Sequence, residues 1–288
     1  MPIARNASRA ALALAAALVS GVSHGEGIDT EHVFGFMIGS DVGEVGEREF
    51  QSESTGRFDK GGGRYRVGEQ ELELELVPAK NVRIELGTAF VGYDIGGVAG
   101  IEDRRQLTWQ GASLDLRYRF LERETAPFGM TIAVQNEASR VDDTSGAPAR
   151  QYGTAFTLAF DREIVPDLAV AALNLFYRPE WTRLSGSGET ERDATVGAAF
   201  ALMAQLRPGI LLGGEARYFR RYDGFGLDGL SGQALFIGPT AYFQLSERSR
   251  LTLSWSTQAW GHATGVPAGL DLTNFEHHQA RLVFGVNF

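Results

Sequence analysis

Long stretches in which apolar residues alternate with polar or small residues dominate this sequence. Residues 71–76 and 113–120 show the alternation most clearly. Because successive side chains of a strand point to opposite faces, a period of two predicts strands with one apolar face. Each stretch runs for about 14 residues, whereas strands of soluble proteins cluster near 5–6 residues. The chain is therefore restricted to folds built from unusually long strands.

Short and long breaks between these stretches alternate along the chain. The short ones are turns of a few residues, and the long ones are rich in glycine or polar residues. Short turns on one side and longer loops on the other are typical of outer-membrane barrels. The sequence thus predicts an all-β fold, an antiparallel up-and-down transmembrane barrel of about 12 strands. The expected strands are 47–58, 63–77, 81–94, 104–121, 126–141, 149–165, 167–184, 191–207, 209–222, 232–246, 249–262 and 274–288.

A soluble β-sandwich or barrel is the main alternative, and the aromatic residues argue against it. Tyr152 and Phe160 share the parity of their apolar neighbours. Eight tilted strand residues span roughly 20 Å, close to the height of an outer-membrane apolar band. Two aromatic girdles are therefore predicted. Besides these two residues, they comprise Tyr118, Phe120, Phe128, Phe243 and Phe288 near the short turns, and Tyr177, Trp181, Tyr218 and Tyr222 near the long loops.

The N-terminus has the pattern of a secretory signal. Arg5 and Arg9 precede an apolar core at residues 10–19, and small residues follow at 20–23. This order predicts a cleaved signal peptide over residues 1–25, with a cytosolic N-terminal helix as the alternative. Residues 26–46 then form a periplasmic leader or partial plug, and residues 47–288 form the barrel.

Charge and cysteine content exclude several classes of function. The net charge is -9 without a basic cluster, which makes nucleic acid a poor candidate as a partner. The chain has no cysteine, so disulfides and thiolate metal sites are excluded. Residues 39–44 are rich in oxygen ligands but lack the full spacing of a calcium loop. No cofactor and no metal site is expected.

The C-terminal strand carries a resemblance to a known class. Leu282, Val283, Phe284, Gly285, Val286, Asn287 and Phe288 end the chain with apolar residues at alternate positions and a final aromatic residue. This pattern resembles the terminal strand of bacterial outer-membrane proteins. The resemblance implies a Gram-negative outer membrane, contact with its lipid and lipopolysaccharide, and recognition by the barrel-assembly machinery through Phe288. Residues 31–49 also resemble the mature N-terminus of uncharacterised, porin-like barrels of alphaproteobacteria. The barrel is expected to be a monomer.

In such a barrel the apolar parity faces lipid and the other parity faces the lumen. Acids and arginines are mixed on the second parity, which allows either a lumen plugged by ion pairs or charged rings along a water path. Twelve strands enclose more room than eight and less than the 16–18 of open porins, so a narrow passive channel for small solutes is expected. The long loops are expected to be too short for a large inward constriction. The predicted lumen-lining residues are Glu71, Glu73, Glu75, Arg83, Glu85, Asp115, Arg117, Arg119, Glu137, Asp161, Glu215, Arg217 and Arg281.

Two alternatives to transport follow from the same fold. The first is a non-conducting barrel that serves as a surface anchor or antigen. The second is a lipid hydrolase, because outer-membrane phospholipases are also twelve-stranded barrels with a serine and a histidine. His278 has lipid-facing parity, but Ser254 and Ser256 on the neighbouring strand have lumen parity. A nucleophile must reach its base at hydrogen-bond distance, so no catalytic residue is predicted.

Overall fold

Twelve antiparallel strands close into one barrel in the computed structural model, which describes residues 27–267 and 269–288. Each strand pairs with its neighbours in chain order, and β1 pairs with β12 to close the sheet. The predicted signal peptide lies outside the described residues. The strands are β1 Arg48–Phe58, β2 Arg64–Ala79, β3 Val82–Gly96, β4 Arg104–Leu121, β5 Gly129–Val141, β6 Pro148–Val165, β7 Ala169–Leu184, β8 Thr190–Arg207, β9 Ile210–Asp223, β10 Gly229–Gln244, β11 Ser249–Ala263 and β12 His278–Asn287.

The predicted twelve-stranded antiparallel barrel is confirmed; three strand starts are displaced by three or four residues, and the others by at most two. β5 starts at Gly129 instead of residue 126, because residues 122–126 form a turn closed by the bond from Ala126 N to Glu122 O. β10 starts at Gly229 instead of 232, since its pairing with β9 continues past a bulge. β12 starts at His278 instead of 274, because residues 274–277 belong to a loop that turns into the barrel mouth.

The alternation in the sequence separates an apolar outer face from an inner face. On β8, Phe200 and Leu202 point outward and are 51% and 44% exposed, whereas Ala201 between them is fully buried. On β3, outward Leu86 follows inward Glu85. A continuous belt of exposed large apolar side chains is stable only against an apolar phase such as lipid. Among the described residues, no helix is long and apolar enough to cross a bilayer.

The side chains of the predicted girdle lie on the outer face, toward the two ends of the strands. Tyr118 and Phe120 contact each other near the β4–β5 turn, with ring centroids 4.8 Å apart. Tyr152 and Trp181 stack at 5.7 Å near the opposite end. Aromatic rings at both ends of an apolar belt match the two interfaces of a bilayer.

Two β-bulges turn Trp109 and Trp260 outward. Strict alternation along their strands would direct both side chains into the lumen. On β4, Gly111 and Trp109 pair with consecutive residues of β3, so the residue between them is unpaired. On β11, Gln258 and Trp260 pair in the same way with consecutive residues of β10. Trp109 and Trp260 are consequently 41% and 48% exposed on the outer face. An extra residue in one strand reverses its parity, so the sequence analysis missed both tryptophans.

Candidate functional site in the barrel lumen

Residues 27–46, which we call the leader, run inside the barrel without regular secondary structure. One end is fixed near the β2–β3 turn, where Gly46 N donates to Val77 O at 2.9 Å. The other end is fixed at the β4–β5 turn, where the guanidinium of Arg123 donates to Ile28 O at 2.6 Å. Both ends of the leader therefore lie at the short-turn end of the barrel, and the segment between them folds up into the lumen and back.

Inward side chains satisfy the leader's backbone. Buried backbone groups outside helices and sheets need other partners, and here the wall provides them. The side-chain amide of Asn174 on β7 pairs with the leader backbone as a neighbouring strand would. Its Oδ1 accepts from Ile38 N and its Nδ2 donates to Ile38 O, both at 2.9 Å. Asp161 on β6 accepts from Ser40 N at 2.6 Å. Further bonds run from Gly35 N and Phe36 N to Glu215, from Thr131 Oγ1 to Ser40 O, and from Thr252 Oγ1 to His32 O.

The wall formed by β7, β8, β9 and β10 is apolar where the leader covers it. Four leader side chains pack into one buried cluster with this wall: Ile28, Val33, Phe34 and Met37. The wall contributes small or apolar inward residues, namely Val170, Ala172, Phe176, Ala199, Ala201, Met203, Leu211, Phe219, Ala234 and Phe236. Burial of this surface adds a hydrophobic contribution to the docking of the leader.

The opposite wall, formed by β1–β4 and β11, carries a buried ion-pair network. Arg83 is 1% exposed and contacts Glu31 of the leader and Glu85, each at 2.6 Å, as well as Glu75. Arg117 pairs with Glu85 and Asp115, both at 2.8 Å. Buried charges are tolerated when they are paired in this way. The leader therefore packs within the short-turn half of the lumen, with apolar contacts on one side and ion pairs on the other.

Arg119 and Arg123 hold the returning part of the leader through Asp41. The distances from Asp41 are 3.4 Å to Arg119 and 2.8 Å to Arg123. Arg123 also contacts Asp161 at 3.2 Å. Four of the predicted lumen-lining residues, Glu75, Arg119, Asp161 and Glu215, thus lie at the level of the leader.

A cavity of about 510 Å³ remains between the leader and the outer loops. The other predicted lumen-lining residues line it: Glu71, Glu73, Arg83, Glu85, Asp115, Arg117, Glu137, Arg217 and Arg281. Three consecutive inward glutamates on β2 are satisfied in different ways. Glu75 pairs with Arg83, Glu73 accepts from Gln51, and Glu71 accepts from Ser113 at 2.6 Å while facing the cavity. From the short-turn end toward the cavity, the partner therefore changes from an arginine at Glu75 to neutral side chains at Glu73 and Glu71.

Acidic and basic groups both line this cavity. Glu69 and Glu137 line a recess of about 80 Å³ together with Asp143 and Glu180. The arginines Arg178, Arg217 and Arg281 stand on β7, β9 and β12. The guanidinium carbons of Arg217 and Arg281 lie 3.9 Å and 4.8 Å from the ring centre of Phe36 at the tip of the leader. Glu69, Arg178 and Glu180 were not among the predicted lumen-lining residues, although all of them share the inward parity of their strands.

Two outer loops turn inward over the cavity, although no large inward constriction was expected from loops of this length. The β11–β12 loop turns into the mouth, and the ring of Phe275 lies 5.9 Å from that of Phe219 and 6.4 Å from that of Phe236. Asp271 in the same loop is fully buried and bonds to Gln258 on β11 through its backbone. A loop of modest length narrows the mouth because inward side chains hold its backbone, as they hold the leader.

The other loop connects β5 and β6. Asp143 pairs there with Arg57 at 3.1 Å, and Tyr65 donates to Thr144 O at 3.0 Å. In the β1–β2 loop, Lys60 is buried and also lines the cavity. Burial lowers the pKa of Lys60 to about 8, against the opposing effect of Glu276. The mouth thus carries a cation whose charge changes in the mildly alkaline range.

A closed twelve-stranded barrel with an apolar outer belt, aromatic ends and a charged lumen is an outer-membrane β-barrel. This chain belongs to the family described as "Family of unknown function (DUF6662)", whose model matches residues 26–288. No curated protein sequence matches the chain.

Solved structures of outer-membrane channels and porins are similar to this barrel. The COG4313 outer membrane channel from Pseudomonas putida F1 superimposes with a TM-score of 0.58 and 10% identity, over 86% of this chain and 98% of the channel. The NanC porin matches with a TM-score of 0.49 and 7% identity, over 83% and 100% of the two chains. The KdgM porin in complex with disordered oligogalacturonate gives 0.46 and 10%, over 84% and 99%. At this level of identity, the similarity to the COG4313 channel shows the fold.

Proposed function

We propose that this barrel is a narrow passive channel for small polar solutes, in which residues 26–46 act as a partial plug on the periplasmic side. The observation that supports it best is the charged cavity of about 510 Å³ above the leader. Eight-stranded barrels are filled by their own side chains, whereas twelve strands leave additional room. A lining that carries both acids and arginines favours hydrated polar solutes over apolar ones, because charged groups lose hydration in contact with apolar surfaces.

Passage through the barrel requires the leader to move. The leader packs within the short-turn half of the lumen, and the cavity extends from beside it toward the long loops. Its backbone is held by side chains instead of a sheet ladder, so it can detach without disrupting the barrel. Segments held in this way open locally at a lower free energy than the strands around them. The proposed channel therefore alternates between an obstructed state and a conducting state.

The experiment is single-channel recording of the refolded full-length protein in planar bilayers. The informative variant is Glu69→Gln/Glu137→Gln, which removes two cavity-facing carboxyl groups without changing side-chain volume much. Glu102→Gln/Glu189→Gln is the matched control, since both residues are exposed on the outer loops. We expect discrete current steps whose preference for cations falls in the cavity variant and is unchanged in the control. A folded barrel that gives no steps in any condition contradicts the proposal.

A non-conducting barrel that displays its loops is the second candidate. It is favoured by the extent to which the leader and the β11–β12 loop fill the lumen. Silence in the recordings, also with variants that release the leader, would support this role over transport.

Catalysis receives less support from the geometry. Nδ1 of His278 lies 3.0 Å from Oγ1 of Thr257, so the hydroxyl that this histidine contacts belongs to a threonine. Ser254 and Ser256 are buried on the lumen side of β11. The pairing of serine with histidine that a lipid hydrolase needs is therefore not formed on this outer surface of the described strands.

A further inference from the structure

We propose that Asp59, His277 and His278 form a binding site for a divalent transition-metal cation of the Zn²⁺ type at the outer rim of the barrel. One ligand atom from each residue lies within 4.8 Å of the other two. Two imidazoles and a carboxylate are a ligand set that suits Zn²⁺ and its neighbours, and three protein ligands leave a position for water. Ca²⁺ and Mg²⁺ prefer all-oxygen sites and are not expected here.

The backbone brings the three residues together at the seam that closes the barrel. Phe58 at the end of β1 pairs with His278 at the start of β12. His277 N donates to Asp59 O at 2.8 Å and to Phe58 O at 3.1 Å. These bonds fix the chain at both sides of the site, so a cation would meet ligands that are largely positioned in advance. Such preorganisation reduces the ordering cost of binding.

The two histidines can act together because His277 precedes the strand. Neighbouring residues within a strand point to opposite faces. His277 lies in the loop, however, and its ring stacks on that of His278 with centroids 3.9 Å apart and planes inclined by 29°. Both imidazoles are therefore presented on the same side, next to Asp59, which is exposed to solvent.

Thr257 on β11 supplies the support that metal-bound histidines usually have. Its Oγ1 lies 3.0 Å from Nδ1 of His278. A metal-ligating imidazole generally donates its second ring N–H to an oxygen acceptor, which fixes the tautomer and the ring orientation. With Nδ1–H donating to Thr257, Nε2 of His278 is the nitrogen left for a cation.

A second group in the described residues offers similar ligands but does not suit a cation. Glu31, His32 and Glu75 converge in the lumen. Arg83 already contacts both glutamates, and its positive charge would repel a metal ion at that position. Within the described part of the chain no such ion pair competes for the rim residues, and this difference selects the rim site.

Binding at the rim would tie the β11–β12 loop to the β1–β2 loop. His277 follows two residues after Phe275, which packs over the mouth against Phe219 and Phe236. A cation held by His277 and Asp59 would therefore hold the covering loop in its inward position. This consequence concerns the loop alone and holds whether or not the barrel conducts.

The test is titration of the refolded full-length protein with Zn²⁺ in competition with a chromophoric chelator. We expect one equivalent to bind, and binding to be lost in His277→Ala/His278→Ala. Asp59 has a φ of 61°, which asparagine also tolerates, so Asp59→Asn removes the charge while keeping the turn. It should weaken binding at least tenfold. The matched control is His262→Ala on β11, an exposed histidine outside the cluster, which should bind as the parent protein does.

Co²⁺ provides a second measurement on the same variants. Bound Co²⁺ should give visible absorption bands in the parent protein and in His262→Ala, and none in the double variant. Heat-modifiable migration in electrophoresis establishes that each variant is folded. The proposal is overturned if the folded parent shows no saturable binding, or if the folded double variant binds Zn²⁺ as the parent does.

Discussion

The carboxylate of Glu215 accepts a hydrogen bond from the backbone N–H of Gly35 at 2.6 Å, so that a strand of the wall holds the tip of the leader. The second carboxylate oxygen accepts from Phe36 N at 3.0 Å. Hydrogen bonds to charged groups contribute about 1.5–3 kcal/mol each. This one side chain therefore controls much of the free energy of docking at the tip.

Replacing Glu215 by alanine should loosen the leader while leaving the barrel closed. The chain has no cysteine, so Met37→Cys, at a buried leader position, is a specific reporter of leader exposure. Thiol labelling of this reporter should accelerate at least tenfold in Glu215→Ala, because about 1.4 kcal/mol already corresponds to a factor of ten in the population of the released state. Glu189→Ala on an exposed loop is the control and should label as the parent does. Equal labelling in both variants would mean that Glu215 does not hold the leader.

Gly35 should tolerate no side chain at its position. A Cβ on this residue would overlap Oγ and Cβ of Ser254 on β11, which lies directly against it. Gly35→Ala should therefore displace the tip and accelerate labelling of the thiol introduced by Met37→Cys. Ser254→Gly removes the obstructing atoms, and the double variant Gly35→Ala/Ser254→Gly should return to slow labelling. Failure of the second change to restore protection would place the cause outside this contact.

Phe275 should limit the width of the outer mouth. Its ring packs on Phe219 and Phe236, and truncation to alanine removes that cover from the cavity. We expect Phe275→Ala to raise the conductance of each current step, without a change in reversal potential, because no charge is altered. Phe225→Ala, at an exposed aromatic residue of the β9–β10 loop, is the comparison and should leave the conductance unchanged. A similar increase in both variants would indicate a general effect on the loops.

Lys60 should make ion selectivity depend on pH. Its pKa is lowered to about 8 by burial, so it is mainly charged at pH 7 and mainly neutral at pH 9. Loss of this positive charge makes the cavity more negative, and preference for cations should therefore rise between these two values. Lys60→Met should show the higher preference already at pH 7 and a smaller change between the two values. Lys80→Met, on an exposed turn at the other end, should keep the parent's pH dependence; if its change is smaller too, Lys60 is not the titrating group.

Charge on the outer face should destabilise the barrel according to depth. Phe200 lies near the middle of β8 and points outward, whereas Leu206 points outward near the short-turn end. An arginine at the bilayer midplane costs about 2–4 kcal/mol, and near the interface about 0–1 kcal/mol. Urea unfolding in lipid vesicles should therefore show a much larger loss of free energy of unfolding for Phe200→Arg than for Leu206→Arg. Similar losses at the two positions would contradict the assigned membrane depth.

How much of the fold and of the lumen could be predicted from the sequence depended on the polarity contrast between neighbouring residues. On β2, Glu71, Glu73 and Glu75 alternate with leucines, and the pattern indicated both the strand and its inward face. On β8, inward Ala199, Ala201 and Met203 differ little in polarity from outward residues, so the pattern did not reveal an apolar wall. That wall is apolar because the leader covers it, and this contact joins segments far apart in the sequence.

The rim residues illustrate a second limit. Two adjacent histidines in a predicted strand are expected on opposite faces, and Asp59 is distant in the sequence. Only the displaced start of β12 places His277 in a loop, and only closure of β1 on β12 brings Asp59 beside it. Barrel closure is a global event that leaves no local signature around residue 59. The bulge at Trp109 likewise depends on a register that a single strand does not specify.

The path of the leader has a topological consequence. Gly46 and Ile28 are both anchored at the short-turn end, beside the β2–β3 and β4–β5 turns, so the segment between them enters and leaves through the same opening. The segment therefore enters the barrel as a loop and is not threaded through it. Withdrawal does not require any chain end to pass through the barrel. In the proposed conducting state, residues 27–46 would therefore leave the lumen through the opening by which they enter it.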